Sequence, residues 1–308
     1  MARPMWAGGW MAERLEAIGT QNRKDGGMDA SPSSTAIMAA VVRAQHRIRD
    51  DHPWVLDDPF AQLLVGPAQE QLEVLLDTVF SEDLQPRMRA GVVARSRYAE
   101  QRLTGGAFTQ YVALGAGLDS LAWRRPDLFR SLTMFEVDHP VSQAWKRQRA
   151  EELGLPQSPR HVFVPIDFEV ESLRTGLDAA GFDWAQPTLF SWLGVVMYLT
   201  DEAVQATLRT IATCAPGSEV VFTYRADDSV LDEASREIIT ILEPLAAQFG
   251  EPFQPGRSAK EMEALVAGCG LRVEALPNSE EIIDRYFAGR TDGLRPWTPE
   301  VLAVAAVP

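Results

Sequence analysis

Two glycines and a carboxylate are the residues whose types and spacing most clearly spell chemistry in this chain. Tyr111-Val-Ala-Leu-Gly-Ala-Gly-Leu-Asp119 is an apolar run that ends in Gly115, Ala116 and Gly117, and Met134-Phe-Glu-Val-Asp138 is a second run that ends in Asp138. A glycine lets the backbone turn sharply and come close to a ligand. An acid about 20 residues further on, at the end of the next strand, is the usual acceptor for ribose hydroxyls. A dinucleotide fingerprint would place a third glycine at position 120, so that a helix N-terminus could receive a pyrophosphate, but this chain has Ser120. A nucleoside without a phosphate therefore fits better. S-adenosylmethionine (SAM), with its ribose, adenine and amino-acid tail, is the common one.

The elements that must position these groups follow from the hydrophobic pattern. Between Tyr111 and Tyr224, short apolar runs alternate with amphipathic stretches, which signals a parallel sheet with helices on both faces. Strands are expected at about 110–115, 132–138, 161–166, 188–193 and 219–224, with helices at about 118–126, 141–153, 169–180 and 202–213. Ile37, Ala40, Val41, Ala44 and Ile48 recur at helical spacing, so the region before the first strand reads as helical. Residues 1–34 read as a flexible leader and 35–308 as one domain: N-terminal helices over 35–104, the cofactor-binding core over 105–226, lid helices over 227–268 and C-terminal strands over 269–308. The run Val301 to Val307 is expected to return antiparallel, at the sheet's edge or between two other strands.

Composition removes several classes of partner. With 29 basic against 43 acidic residues the net charge is -14, a field that repels nucleic acid and anionic membrane surfaces. No stretch reaches the roughly 18 apolar residues of a membrane span. Cys214 and Cys269 are too few for a disulfide framework, so a reducing cytoplasm is the expected compartment. His46, His52, His139 and His161 are scattered without metal-ligand spacing, and no metal is expected.

Four motifs in order, Asp57-Asp-Pro-Phe-Ala61, Arg95-Ser-Arg-Tyr-Ala99, Gly115-Ala-Gly-Leu-Asp-Ser120 and Phe135-Glu-Val-Asp138, make the chain over about 35–308 resemble the leucine carboxyl methyltransferase family. The string Trp192-Leu-Gly-Val-Val-Met-Tyr-Leu199 is similar to its bacterial, actinomycete-rich branch. The resemblance implies an α/β, Rossmann-like class I methyltransferase fold, a seven-stranded sheet with a helical N-terminal region and a helical lid insertion. It further implies that SAM lies over the carboxyl ends of the first strands, with Gly115 and Gly117 on its methionine side and Asp138 on the ribose. Arg95 would grip the SAM carboxylate, a task suited to a rigid fork of donors, and Arg43 would reach the same group. Asp167 and Phe168 would meet the adenine. Leu193 departs from the pattern, because many relatives carry glutamate just before the glycine at 194.

Each of these residues has a structural reading beside the functional one. Asp138 and Asp167 are placed to cap the helices that come after them, and Arg43 and Arg95 lie on helices where exposed arginines are ordinary. Tyr198 and Tyr224, near the ends of the fourth and fifth strands, are the candidates to face a substrate. Arg285, Tyr286 and Arg290 could recognise an acidic acceptor or simply be solvated. No residue is assigned as a catalytic base, which suits a carboxylate nucleophile already ionised at neutral pH. The expected activity is O-methylation, as methyl-ester formation on a small natural product or peptide. The alternatives are an NAD-dependent reductase on a similar sheet and a SAM-binding partner protein without catalysis.

Overall fold

The computed structural model describes residues 33–66, 69–167, 171–248, 250–296 and 299–308. The expected leader, apart from its last two residues, and Phe168 lie outside the described residues.

Among the described residues four helices precede the sheet: α1 (Ser34–Arg49), α2 (Pro59–Val65), α3 (Gln69–Val79) and α4 (Gln85–Gly105). The first two starts have a local cause. Ser33 caps α1 by accepting from the Ala36 N–H, and Asp58 caps α2 by accepting from the N–H groups of Phe60 and Ala61, with Pro59 preset at the first helical position.

The sheet then alternates with helices: β1 (Gln110–Leu114), α5 (Leu121–Arg124), β2 (Thr133–Asp138), α6 (Pro140–Glu152), β3 (His161–Pro165), α7 (Leu173–Ala179), β4 (Thr188–Trp192), α8 (Asp201–Ile211) and β5 (Glu219–Arg225). After β5 come α9 (Glu233–Gln248), α10 (Ala259–Gly268), β6 (Arg272–Ala275), α11 (Ser279–Tyr286) and β7 (Glu300–Ala306). The seven strands are ordered β3-β2-β1-β4-β5-β7-β6. β7 runs antiparallel between β5 and β6, while the first five strands are mutually parallel. The order reverses between β1 and β4, and open α/β sheets bind ligands beyond the carboxyl ends of the strands at such a point.

The apolar pattern explains the layering. On β1, Val112 and Leu114 join the core beneath α7, α8 and α10, while Tyr111 and Ala113 join the one beneath α4, α5 and α11. A strand buried on both faces must be apolar at every position rather than at alternate ones. A third cluster is built from the N-terminal helices and α9, where Ile238 and Leu245 meet Val41, Leu72 and Leu76. The excursion after β5 is pinned at both ends, since Asp227 N–H donates to Arg257 O at 3.0 Å and Arg257 N–H donates to Arg225 O at 2.9 Å.

Two expectations needed correction. The helix expected at 118–126 shrinks to α5, because Gly117 to Ser120 are spent in a turn and Pro126 comes soon after. The stretch expected to hold only C-terminal strands contains α11, started by a capping box in which Asn278 and Glu281 satisfy each other's backbone N–H groups. Among the described residues no helix is long and apolar enough to cross a membrane.

One buried ion cluster fixes the β2–β3 edge. Glu136 accepts from Lys146 Nζ at 2.5 Å and lies 2.9 Å from His161 Nε2. Burial works against its ionisation, yet Lys146 and His161 prevail and hold its pKa down to about 2. Removing one partner of such a group strands a buried charge, at about 3–5 kcal/mol. Lys146→Ala is therefore expected to lose about that much stability in urea unfolding, and adding Glu136→Gln should recover part of the loss.

Candidate functional site

The site grows from the turn after β1. Gly115 and Gly117 have φ of +64° and +48°, left-handed backbone that glycine enters without strain. The N–H groups of Gly115 and Ala116 both donate to Val137 O, at 2.9 and 3.1 Å, so the turn leans on the end of β2. A Cβ at Gly117 would come within 3.0 Å of the Ala36 Cβ, which brings the first turn of α1 directly over the loop. Ala116 packs its methyl against the apolar face beneath α4.

Asp138 closes the opposite wall. Its Oδ2 accepts from the Gly117 N–H, and its Oδ1 accepts from the His139 N–H at 2.7 Å. Burial is the main influence raising its pKa, and the two backbone hydrogen bonds and the Lys146 charge only partly offset it. His139 Nε2 lies 4.0 Å from Asp167 Oδ2, so the residues that follow β2 and β3 come together at the carboxyl ends of those strands.

A second group of side chains gathers at the ends of β4 and β5. Arg95 Nη1 donates to both oxygens of Glu300, each at 2.5 Å. Thr223 donates its hydroxyl to Glu300 Oε1 and accepts from the Gly194 N–H at 2.7 Å. Gly194 has φ +71°, and a Cβ there would sit 2.7 Å from Arg95 Nη1 and Nη2. Tyr198, on the 3-10 turn Val196–Tyr198, is half-buried and has its hydroxyl pKa pushed up, first by burial and then by Glu251 and Glu300. Glu251 closes this side by accepting from Ser33 Oγ at 2.9 Å and Thr35 Oγ1 at 2.7 Å. Beside it, Phe253 lies against the Tyr198 ring and the Gln254 N–H donates to Met197 O at 2.8 Å.

The structure thus brings together Gly115, Ala116, Gly117, Asp138 and Asp167 at the ends of β1 to β3, with Arg95 and Tyr198 at the end of β4. Arg43 stands beside the glycine turn: its Nε donates to Asp58 at 2.9 Å and its Nη2 to Leu118 O at 2.6 Å, which braces the turn from behind. Tyr224 is buried with Phe222 in the core beneath α10, on the opposite side of β5 from Thr223, and burial pushes its pKa up to about 12. Arg290 is spent on the carbonyls of Asp51 and Pro53, Tyr286 on Gln101, and Arg285 lies over the Tyr98 ring. The residues that sequence reasoning missed, Thr35, Thr223, Glu251 and Glu300, are polar positions with no local pattern, and only strand order and loop return assemble them.

Comparison with known proteins identifies the family. The family model for leucine carboxyl methyltransferase matches residues 36–212. A Bacillus subtilis protein, YktD, whose name provisionally assigns it as an S-adenosyl-L-methionine-dependent methyltransferase, is 30% identical over 287 residues, 85% of this chain and 93% of its own length. A DUF574 family protein from Streptomyces avermitilis superposes with a TM-score of 0.59 at 16% identity, covering 91% of this chain and 99% of that one. A Thermobifida fusca protein, provisionally described as a methyltransferase, gives 0.57 at 14% identity, covering 92% and 97%. These two likenesses speak for the fold.

Gly194 offers a direct check on how tightly the site is built. Gly194→Ala combines a left-handed backbone with a Cβ against the Arg95 guanidinium, and it is expected to lose about 1–3 kcal/mol in chemical unfolding. Combining it with Arg95→Ala relieves the steric part only, so the two losses should not add.

Proposed function

This chain belongs to the leucine carboxyl methyltransferase family and is a SAM-dependent methyltransferase; from that premise we propose that it methylates a carboxylate oxygen on a small natural product or peptide. The observation that carries the proposal is that the end of β4, where Arg95 and Tyr198 gather, has no imidazole to act as a base among the described residues. None of the four histidines stands at the end of β4: His46 is bound to Asp50, His52 stacks on Trp54, His161 is bound to Glu136, and His139 stands at the end of β2, with β1 between it and β4. Tyr198 is held in its neutral form by burial, and Glu300 is already engaged by Arg95 and Thr223. A carboxylate acceptor needs none of them as a base, whereas an alcohol or phenol would.

The residues suit the cofactor. The side-chain-free turn at Gly115 and Gly117 leaves room for close approach, and Ala116 adds only a methyl facing away. Asp138 accepts two backbone hydrogen bonds of the roughly four that a carboxylate can take, which leaves capacity for the ribose hydroxyls. Asp167 stands where the adenine amine would be met, and Arg95 can grip the tail carboxylate. When bound, SAM supplies a methyl group made electrophilic by a positively charged sulfur. The chain's own part is to orient the acceptor and to exclude water. Ser33, Thr35, Glu251 and Phe253 draw α1 and the loop before α10 together over Tyr198, and a dry pocket favours a transfer that disperses charge. The helices over 35–104 and 227–268 act in this reading as walls and lid of a single methyltransferase domain.

An NAD-dependent reductase is disfavoured by the residues just after the glycine turn. Ser120 donates to the buried carboxylate of Asp58 at 2.7 Å, and α5 is only four residues long, so a pyrophosphate would meet a negative charge and a weak helix dipole.

Two outcomes test the reading. The ionised form of Asp138 is the better acceptor for ribose hydroxyls, so SAM affinity is full above its raised pKa and is lost as pH falls through it. That loss should begin at a higher pH than an ordinary aspartate near 3.8 would allow, and calorimetry on Asp138→Asn should show weaker binding without the step. For the reaction, the protein is incubated with methyl-labelled SAM and a panel of aliphatic acids, aromatic acids and peptides with free carboxylates. A labelled product that releases methanol in mild alkali is expected; an alkali-stable methyl ether would refute ester formation, and SAM binding without any transfer would favour a non-catalytic partner.

A further inference from the structure

Arg95 is a long side chain in the middle of α4, and something must hold its guanidinium toward the carboxyl end of the sheet. The holding group comes from the far end of the chain. Glu300, the first residue of β7, lies 205 positions away in sequence and takes Arg95 Nη1 on both of its oxygens. Its side chain is only 3% exposed, against 15% for Arg95. Thr223 on the neighbouring strand donates to Glu300 Oε1, and its own oxygen is fixed by the Gly194 N–H. Gly194 in turn supplies the space for the guanidinium. The result is a continuous chain of contacts from the backbone after β4, through a hydroxyl and a carboxylate, to the cation.

We infer that Glu300 is a positioning residue for Arg95: Thr223 seats its carboxylate between the ends of β5 and β7, and that carboxylate sets the direction in which Arg95 meets the tail of the cofactor. This rests on the assignment of Arg95 to that tail. A guanidinium has five N–H donors in one rigid plane, so it can serve one carboxylate through Nη1 and present its remaining donors to a second. A side chain fixed in this way has already lost the rotamer freedom that binding would otherwise remove. The register supports the same view. Glu300 stands opposite Arg225 at the carboxyl end of β5, so the antiparallel insertion of β7 delivers its first residue to the end of the sheet where the glycine turn lies.

A purely structural ion pair would, when broken, weaken every ligand alike, whereas a positioning pair weakens only ligands that carry the tail. Calorimetry on the full chain should therefore compare S-adenosylhomocysteine, which has the amino-acid tail, with methylthioadenosine, which lacks it. Glu300→Gln is expected to weaken S-adenosylhomocysteine about tenfold and to leave methylthioadenosine unchanged. Thr223→Val should give a smaller loss of the same kind, and Thr223→Ser should restore tight binding. Equal loss for both ligands, no loss, or tighter binding of S-adenosylhomocysteine would each overturn the inference. If Glu300→Gln does not fold, as judged by its thermal melt, the Thr223 pair decides. Arg95→Ala separates the two levels: if it leaves the preference for the tailed ligand intact, the Arg95 assignment falls; if it abolishes the preference while Glu300→Gln does not, only the role of Glu300 falls.

Discussion

The buried carboxylate of Asp58 is the contact on which the relation between the N-terminal helices and the sheet depends. Its Oδ1 caps α2 and accepts from the Ser120 hydroxyl at 2.7 Å, while its Oδ2 takes Arg43 Nε at 2.9 Å. Arg124 lies 3.7 Å away, donates to Ser120 Oγ at 2.9 Å and pairs with Glu100 at 2.5 Å. Burial opposes the ionisation of Asp58, but Arg43, Arg124 and Ser120 together draw its pKa below the ordinary aspartate value. Such a network is favourable only while every member is present, because each remaining charge would otherwise be stranded out of water. It therefore fixes the relative positions of α1, α2, α4 and the glycine turn as one unit.

That fixation shapes the site from behind. Arg43 holds the Leu118 carbonyl at 2.6 Å, so the turn carrying Gly115 to Gly117 is braced on the side away from Asp138. Asp138 then holds the same turn from the front through the Gly117 N–H. The loop is thus held from both sides by hydrogen bonds, and preorganisation of this kind lets binding energy go into contacts rather than into folding a loop.

The parts of this arrangement that were legible in the sequence are those with a local period. The strands at 110–114 and 133–138, the glycine turn and the acid after it derive from apolar runs and from residues with strong backbone preferences. The start of α11 was equally local, since Asn278 with Glu281 three residues later is a capping signature, but its eight residues carry too short an apolar pattern to stand out. Arg43 and Tyr224 show the limit of reading single residues. The first is held by Asp58 as a brace, a contact no local pattern signals, and the second ends a strand near the site but faces the core, because a one-residue step along a strand changes the face. Glu300 and Glu251 had no local signal at all, since what makes them matter is a strand inserted between two others and a loop that returns to α1.

The distribution of charge around Gly194 is a product of the same strand insertion. Leu193, immediately before that glycine, packs against the apolar face beneath α4, so β4 itself brings no acid to the site. The carboxylate next to Gly194 arrives instead from β7, and it can be accommodated there because Arg95 and Thr223 satisfy its oxygens. A carboxylate in that place with no guanidinium would be a stranded charge, and a guanidinium with no carboxylate would be a half-buried cation free to swing. Each group is tolerable at the end of β4 because the other is present, and Gly194 is the residue that leaves space for both.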